Sequence, residues 1–239
     1  MNDVGLVTDI GLVILDCDGV LVDSEIITNR VFAQMLGELG LTVTPDDMFE
    51  RFVGQSMDRC CELIAAMLQA PVPVGFVAAY RERSNVALAS QLQAVPGIEA
   101  ALDAIAARGV PCCVASNGTH EKMRTTLGIT GLLPRFEDRL FSVTEVAHGK
   151  PAPDLFLYAA GRNAVPPSRC RVIEDTPAGV AAAVAAGMPV YGFCARTSAQ
   201  RLAAAGAQRT FDDMRALPGL LFGGGPRYRG SPPRAHSSR

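Results

Sequence analysis

The chain predicts an α/β fold, a parallel sheet of Rossmann-like order with a small helical domain inserted near its start. Three observations lead there. The unbroken apolar run at residues 13–15 lacks the alternation of a half-exposed strand and reads as a strand buried on both faces, and the segments from Cys112 to Ser116 and from Val172 to Glu174 read as a second and a third strand. After the second and third runs the chain opens into a helix, at Thr119 and at Pro177, a residue suited to the first helical turn. Between the first and second runs, residues 24–95 carry helical periodicity only.

In chain order, residues 13–15 form the first strand and Gly19 turns the chain after it. The helical block follows. Val31, Phe32, Met35, Leu36 and Leu39 share one helix face, and Leu63, Ile64, Met67 and Leu68 share another. Thr44 to Asp47 and Ser56 to Asp58 are helix starts with a capping residue and early acids. The block joins the rest near Val22 to Glu25 and Leu92 to Gly97, where Pro96-Gly97 interrupts the pattern. Beyond the third strand, an alanine-rich helix runs to Ala186, Gly187 ends it, and residues 189–193 form the next strand. The expected organisation is a core of residues 1–23 and 96–222, a helical cap of residues 24–95, and a disordered tail of residues 223–239 rich in Gly, Pro, Arg and Ser.

Composition sets the class. A chain of 239 residues that is 49% hydrophobic can bury one substantial core and a small satellite. A net charge of −2 gives no basic footprint for nucleic acid, and no apolar run approaches the ~20 residues of a membrane span. The first residues carry no signal-peptide pattern. Seven cysteines, with adjacent pairs at Cys60-Cys61 and Cys112-Cys113, read as reduced thiols of a cytoplasmic protein, and Cys17 as a packed core residue.

The chemistry gathers where the strands end. Asp16 and Asp18 stand at i, i+2, which on a continuing strand would force two carboxylates onto one side. If the strand stops at Asp16, both carboxylates can point into one cleft and be neutralised by a metal ion. A strand end capped by two solvated acids is the plain alternative. Ser116-Asn117-Gly118 ends the second strand, Glu174-Asp175 the third, and Lys150 sits between them among prolines that stop a helix from continuing. Ligands of open parallel sheets bind at the carboxyl ends of the strands, so three strands ending in polar side chains describe a site. Helix capping is an open second reading for Ser116 and Asn117, and a solvated loop for Lys150.

These four segments, DCDGVLVDSE from Asp16, SNG from Ser116, KPAPD from Lys150 and EDTPAG from Glu174, resemble in order and spacing the four motifs of the haloacid dehalogenase superfamily with a small helical cap. The resemblance implies that Asp16 is a nucleophile forming an aspartyl phosphate and that Asp18 is the acid and base of the two half-reactions. It implies that Lys150 supplies fixed positive charge, and that Ser116, Asn117 and the turn at Gly19 cradle phosphate. It further implies a Mg²⁺ site built from Asp16, the Asp18 carbonyl, Asp175 and Glu174.

Within the cap, the segment from Arg51 to Ser56 resembles the loop that sugar-phosphate members present to substrate, which nominates Arg51, Gln55 and Ser56; for Arg51 a surface-helix role is the alternative. The resemblance is to β-phosphoglucomutases, 6-phosphogluconate phosphatases and phosphoglycolate phosphatases. Val53 and Met57 stand where the mutases carry a lysine and an arginine, which favours a phosphatase. The implied partner is a small-molecule phosphate ester, with no nucleic acid and no membrane, and the implied state a monomer. A phosphomutase is the main alternative. A haloacid dehalogenase is opposed by Asp18, and a non-catalytic binding protein by the full set of charged positions.

Overall fold

The computed structural model describes residues 10–44, 47–48, 51–52, 57–136 and 138–223. Six parallel strands make one sheet in the order β3-β2-β1-β4-β5-β6. They are β1 (Leu12–Leu15), β2 (Cys112–Ser116), β3 (Leu140–Ser142), β4 (Cys170–Glu174), β5 (Val190–Phe193) and β6 (Arg209–Phe211). The order reverses beside β1, the place where open α/β sheets bind ligands.

The period of two in β1 divides the core. Val13 and Leu15 face one side with Val114 and Ile173, where α4 (Ile98–Ala106), α5 (His120–Ile129) and α9 (Leu217–Phe222) bring Ile98, Ile105, Leu127 and Leu217. Leu12 and Ile14 face the other with Cys113, Ala115 and Val172. There α6 (Asp154–Arg162), α7 (Pro177–Ala185) and α8 (Ala199–Ala204) bring Leu155, Phe156, Val180 and Leu202. Both faces of the first strand are therefore covered, as its unbroken apolar run requires. Alanines of α7 at 182 and 183 let that helix lie close to the sheet, and Gly187 past its end takes φ +71°.

Between β1 and β2 the chain forms α1 (Ser24–Glu38), α2 (Met57–Leu68) and α3 (Phe76–Gln91). These helices have an apolar cluster of their own around Phe32, whose ring meets Phe52, Phe76 and Tyr80 edge-on at 5.3, 6.0 and 5.1 Å. Thr44 and Asp47 exchange hydrogen bonds in a capping box, with Thr44 N–H on Asp47 Oδ2 and Asp47 N–H on Thr44 Oγ1, both at 3.1 Å. The two crossings between insertion and core lie side by side. Asp23 N–H donates to the Gln93 carbonyl at 3.1 Å and Val95 N–H to the Leu21 carbonyl at 2.9 Å. Arg196, after β5, forms a forked ion pair with Asp23 at the same joint. Among the described residues no helix is long and apolar enough to cross a membrane. The expected tail lies outside the described residues from position 224 onward.

After β3 the chain turns toward the strand ends through a second capping box. Glu145 accepts from Ser142 N–H at 2.8 Å, from Tyr158 Oη at 3.1 Å and pairs with His120 at 2.9 Å. Although its partial burial opposes the charge, these bonds hold the Glu145 carboxyl below its usual range. A depressed folded value means that the stabilisation is present above the unfolded glutamate value of about 4.3 and is lost as pH falls through the folded value. Glu145→Gln should therefore lower stability by about 0.5–1 kcal/mol at pH 7, the modest figure expected of a solvent-screened cap. Thermal melts of the two proteins should differ by a few degrees at pH 7 and converge near pH 3; an equal gap at both values would contradict the assignment.

Candidate active site

Lys150 joins the ends of three neighbouring strands. Its Nζ donates to Asp16 Oδ1 at 2.5 Å beyond β1, to the Ala115 carbonyl at 2.8 Å in β2, and to Glu174 Oε1 at 2.6 Å at the end of β4. Only 4% of its side chain is exposed, and its ammonium lies 4.9 Å from the centre of the Phe156 ring. Burial opposes that charge, yet the Asp16 and Glu174 carboxylates more than offset it and hold the ammonium above the usual lysine range. The solvated-loop alternative for Lys150 does not describe this geometry.

The loop that carries Lys150 is fastened by Asn117. Lys150 N–H donates to Asn117 Oδ1 at 2.9 Å, and Asn117 Nδ2 donates to the Lys150 carbonyl at 3.2 Å. Gly149 passes so close that a Cβ there would lie 2.8 Å from Asn117 Oδ1. The Lys150-Pro151 peptide is cis.

Asp16 is buried, and burial first, with Glu174 and Asp18 adding, pushes its carboxyl up to about 7 against the pull of Lys150. Asp175, on the turn after β4, is pushed up by burial, then by Glu174 and Asp16. Its Oδ1 has no hydrogen-bond partner although it is buried. Gly19, at φ +83°, brings the turn after β1 against this carboxylate, and a Cβ on Gly19 would collide with Asp175. An orphaned buried carboxylate oxygen beside a second carboxylate fits a hard divalent cation such as Mg²⁺, whose remaining positions waters can fill. Asp16 and Asp175 are the carboxylates this arrangement offers. Among the described residues no three His, Cys, Asp or Glu side chains are grouped so that they alone could hold a metal ion.

Asp18 sits at the mouth, 18% of its side chain exposed. Lys122 Nζ donates to its Oδ2 at 2.7 Å, and Ser24 Oγ holds its Oδ1. Three buried acids, a buried cation and a partly exposed fourth acid at the carboxyl end of a parallel sheet suit transfer of an anionic group to Asp16.

Comparison with known proteins places the chain in a family. A model described as haloacid dehalogenase-like hydrolase matches residues 10–187. The chain belongs to the haloacid dehalogenase-like hydrolases. It is 37% identical over 186 residues to a 6-phosphogluconate phosphatase of Escherichia coli, across 77% of this chain and 82% of that protein. It is 34% identical over 182 residues to a probable pseudouridine-5'-phosphatase of Drosophila melanogaster, across 74% of this chain and 78% of that one. Among solved structures, a family hydrolase from Deinococcus radiodurans with bound phosphate and sodium superposes with a TM-score of 0.79 at 31% identity, across 90% of this chain and 96% of that one.

Within this haloacid dehalogenase-like hydrolase the sequence-nominated residues divide. Asp16, Asp18, Ser116, Asn117, Lys150, Glu174 and Asp175 come together at the strand ends, and several make hydrogen bonds within the protein that the sequence did not announce. Glu174, expected as a metal ligand, has both oxygens committed, Oε1 to Lys150 and Oε2 to the Asp175 and Thr176 N–H groups and the Thr176 hydroxyl. Asn117, expected on phosphate, spends its amide on the Lys150 backbone. The Gly19 N–H, expected in a phosphate cradle, donates to the Val22 carbonyl at 2.8 Å. Capping of α5 falls to Thr119, which accepts from Lys122 N–H, so Ser116 and Asn117 do not cap it. Ser116 Oγ instead accepts from Gly118 N–H at 3.0 Å.

Arg51 is exposed, 3.5 Å from Asp47 one helical turn before it, which is the surface-helix alternative. Gln55 and Ser56 lie outside the described residues. His148 pairs with Asp154 and points to solvent. Cys17 is buried, and burial, then Asp18 and Asp16, raise its thiol far above the reactive range.

Sequence reasoning missed Ser24 and Lys122. Helical side chains lean toward the N-terminus, so a lysine in the first turn of a helix that opens at the strand end can reach back over that end. That was the available signal.

The Gly19 approach gives a paired test. Gly19→Ala adds a Cβ that meets Asp175 and sits at a φ costly for alanine, so it should cost about 2 kcal/mol or more. Gly37→Ala, in α1 with open space around it, should leave stability unchanged or raise it by up to about 1 kcal/mol. Denaturant unfolding of both variants checks this, and equal behaviour would contradict the close approach.

Proposed function

We propose that the chain is a Mg²⁺-dependent phosphatase that hydrolyses a small phosphorylated metabolite, a sugar phosphate or sugar-acid phosphate of the 6-phosphogluconate kind, through an aspartyl-phosphate intermediate. The observation that carries this reading is Asp16, a buried carboxylate fixed at Oδ1 by Lys150, with a second acid, Asp18, two residues on at the cleft mouth. The identity to a 6-phosphogluconate phosphatase supports the substrate class.

In this reading Asp16 Oδ2 attacks phosphorus in line with the ester oxygen. As the Asp16–phosphorus bond forms and the ester P–O bond breaks, Asp18 gives its proton to the departing oxygen. Asp18, now ionised, takes a proton from water, whose oxygen attacks the same phosphorus and releases Asp16 and inorganic phosphate. Lys150 holds the nucleophile's orientation and sets positive charge beside the equatorial oxygens. Mg²⁺ held by Asp16, Asp175 and the Asp18 carbonyl would supply the remaining positive charge, without which a site this acidic repels a phosphate ester. The helical insertion, on its paired crossings, acts as the cap that excludes bulk water during transfer.

A phosphomutase needs a cationic grip on a second phosphate. Met57, where the mutases carry an arginine, opens α2 and packs against the insertion's apolar cluster, which favours hydrolysis. Seven free thiols support a reducing, cytoplasmic setting for a monomeric enzyme.

Phosphate release from a panel of phosphorylated sugars, sugar acids, glycolate and nucleotides, with Mg²⁺ and with EDTA, tests this. Release should require the metal, favour sugar or sugar-acid esters, and fall by about three orders of magnitude or more in Asp16→Asn. No release from any ester under any metal condition would overturn the reading.

A further inference from the structure

Lys122 belongs to none of the four motif segments, yet it reaches the catalytic cleft. It stands in the first turn of α5, after the capping Thr119, and 44% of its side chain is open to solvent. An exposed lysine ordinarily extends into water, because holding its long stem in one place costs rotamer entropy. Here the Nζ turns inward to Asp18 Oδ2 at 2.7 Å. Burial opposes its charge, and Asp18 foremost, by charge and hydrogen bond, holds the ammonium above its usual range.

The surroundings explain why a clamp is needed at this point. The Asp18 carboxylate stands beyond the end of β1, on a turn set by Gly19, where an isolated backbone bridge to Val22 takes the place of the regular ladder. Its other oxygen is held by Ser24, the first residue of α1, which belongs to the helical insertion. One oxygen is thus tied to the core and the other to the insertion. Gly118 borders the lysine stem: a Cβ there would lie 3.2 Å from Ser116 Oγ and in ordinary contact with Lys122 Cδ at 3.5 Å and Asp18 Oδ2 at 3.9 Å. Burial raises the Tyr80 hydroxyl, against the pull of Ser84, Thr28 and, after them, the Lys122 charge. Glu25, raised by burial and then by Asp18, feels the same charge.

We propose that Lys122 is a positioning residue for Asp18. Held at Oδ2 by Lys122, the Asp18 carboxyl presents one fixed geometry to the ester oxygen that leaves Asp16-bound phosphorus. The inference rests on the phosphatase reading above and deepens it. In the step concerned, the proton is carried on Asp18 Oδ1, the oxygen that Lys122 does not hold, and passes to the ester oxygen as the P–O bond breaks, leaving Asp18 ionised and paired with Lys122. An ester whose leaving oxygen is a poor anion needs that proton, whereas a nitrophenolate departs without it.

The test compares Lys122→Met, Lys122→Arg and wild type, with Mg²⁺, on two esters: the preferred sugar phosphate of the panel and p-nitrophenyl phosphate. For the sugar phosphate, Lys122→Met should lower kcat/KM by about 10–100-fold, the loss carried by kcat with KM within about 3-fold. For p-nitrophenyl phosphate, kcat/KM should stay within about 3-fold of wild type, and Lys122→Arg should recover most of the sugar-phosphate rate.

Equal losses on both esters would mean a structural role and overturn the proposal. So would a loss carried by KM, which would mean contact with substrate, or no loss at all. Failure of the wild type to cleave either ester would instead overturn the phosphatase reading, and this inference with it.

Discussion

One buried ammonium organises this molecule. Three adjacent strands converge on Lys150, and two of them end in carboxylates that would otherwise face each other in the low-dielectric interior. A buried charge is tolerated only when paired and fully hydrogen-bonded, and removing one partner typically costs about 3–5 kcal/mol. The surroundings serve to meet that condition. Asn117 fastens the lysine's own peptide, Gly149 lets the loop approach, Phe156 lies beneath the ammonium, and Glu174 is in turn held by the N–H groups of the turn that starts α7. A Cβ on Gly179 would collide with that glutamate, so even the first turn of α7 is shaped around the ion pair.

Satisfying Lys150 leaves a deliberate imbalance. Glu174 is consumed by the lysine and the turn, while Asp175 Oδ1 is left without a partner and Asp16 keeps its second oxygen. The same node therefore separates structural from reactive carboxylates. Asp18 completes the set from the opposite side, tied to α5 by Lys122 and to the helical insertion by Ser24. The insertion joins the core through paired segments at residues 21–23 and 93–95, beside the Ser24 that holds Asp18.

Much of this was legible in the sequence, for identifiable reasons. Strands buried on both faces announce themselves as apolar runs; β1 is unbroken, β2 is apolar up to Ser116, and β4 is buried throughout although Arg171 interrupts its run. The α7 helix carried its own start and stop in Pro177 and Gly187. Three-residue β3 and β6 offered no period to read, and the second of these is partly exposed. At the site, residue types told which side chains gather but not which bonds they make. Asn117 and Glu174 are short of free atoms because neighbours distant in sequence, Lys150 above all, claim them first. Lys122 escaped notice because a helical lysine is ordinarily solvated, and only the fold brings Asp18, 104 positions earlier, within its reach.

In the proposed mechanism this node makes Asp16 a nucleophile. Rapid acid quench of the wild type during turnover of its preferred ester, followed by mass analysis of the peptide containing Asp16, tests this. One added HPO₃ should be found on Asp16, lost when the quenched protein is made basic, as an acyl phosphate is. Phosphate on a different side chain, or steady turnover with no phosphorylated protein at any quench time, would contradict it.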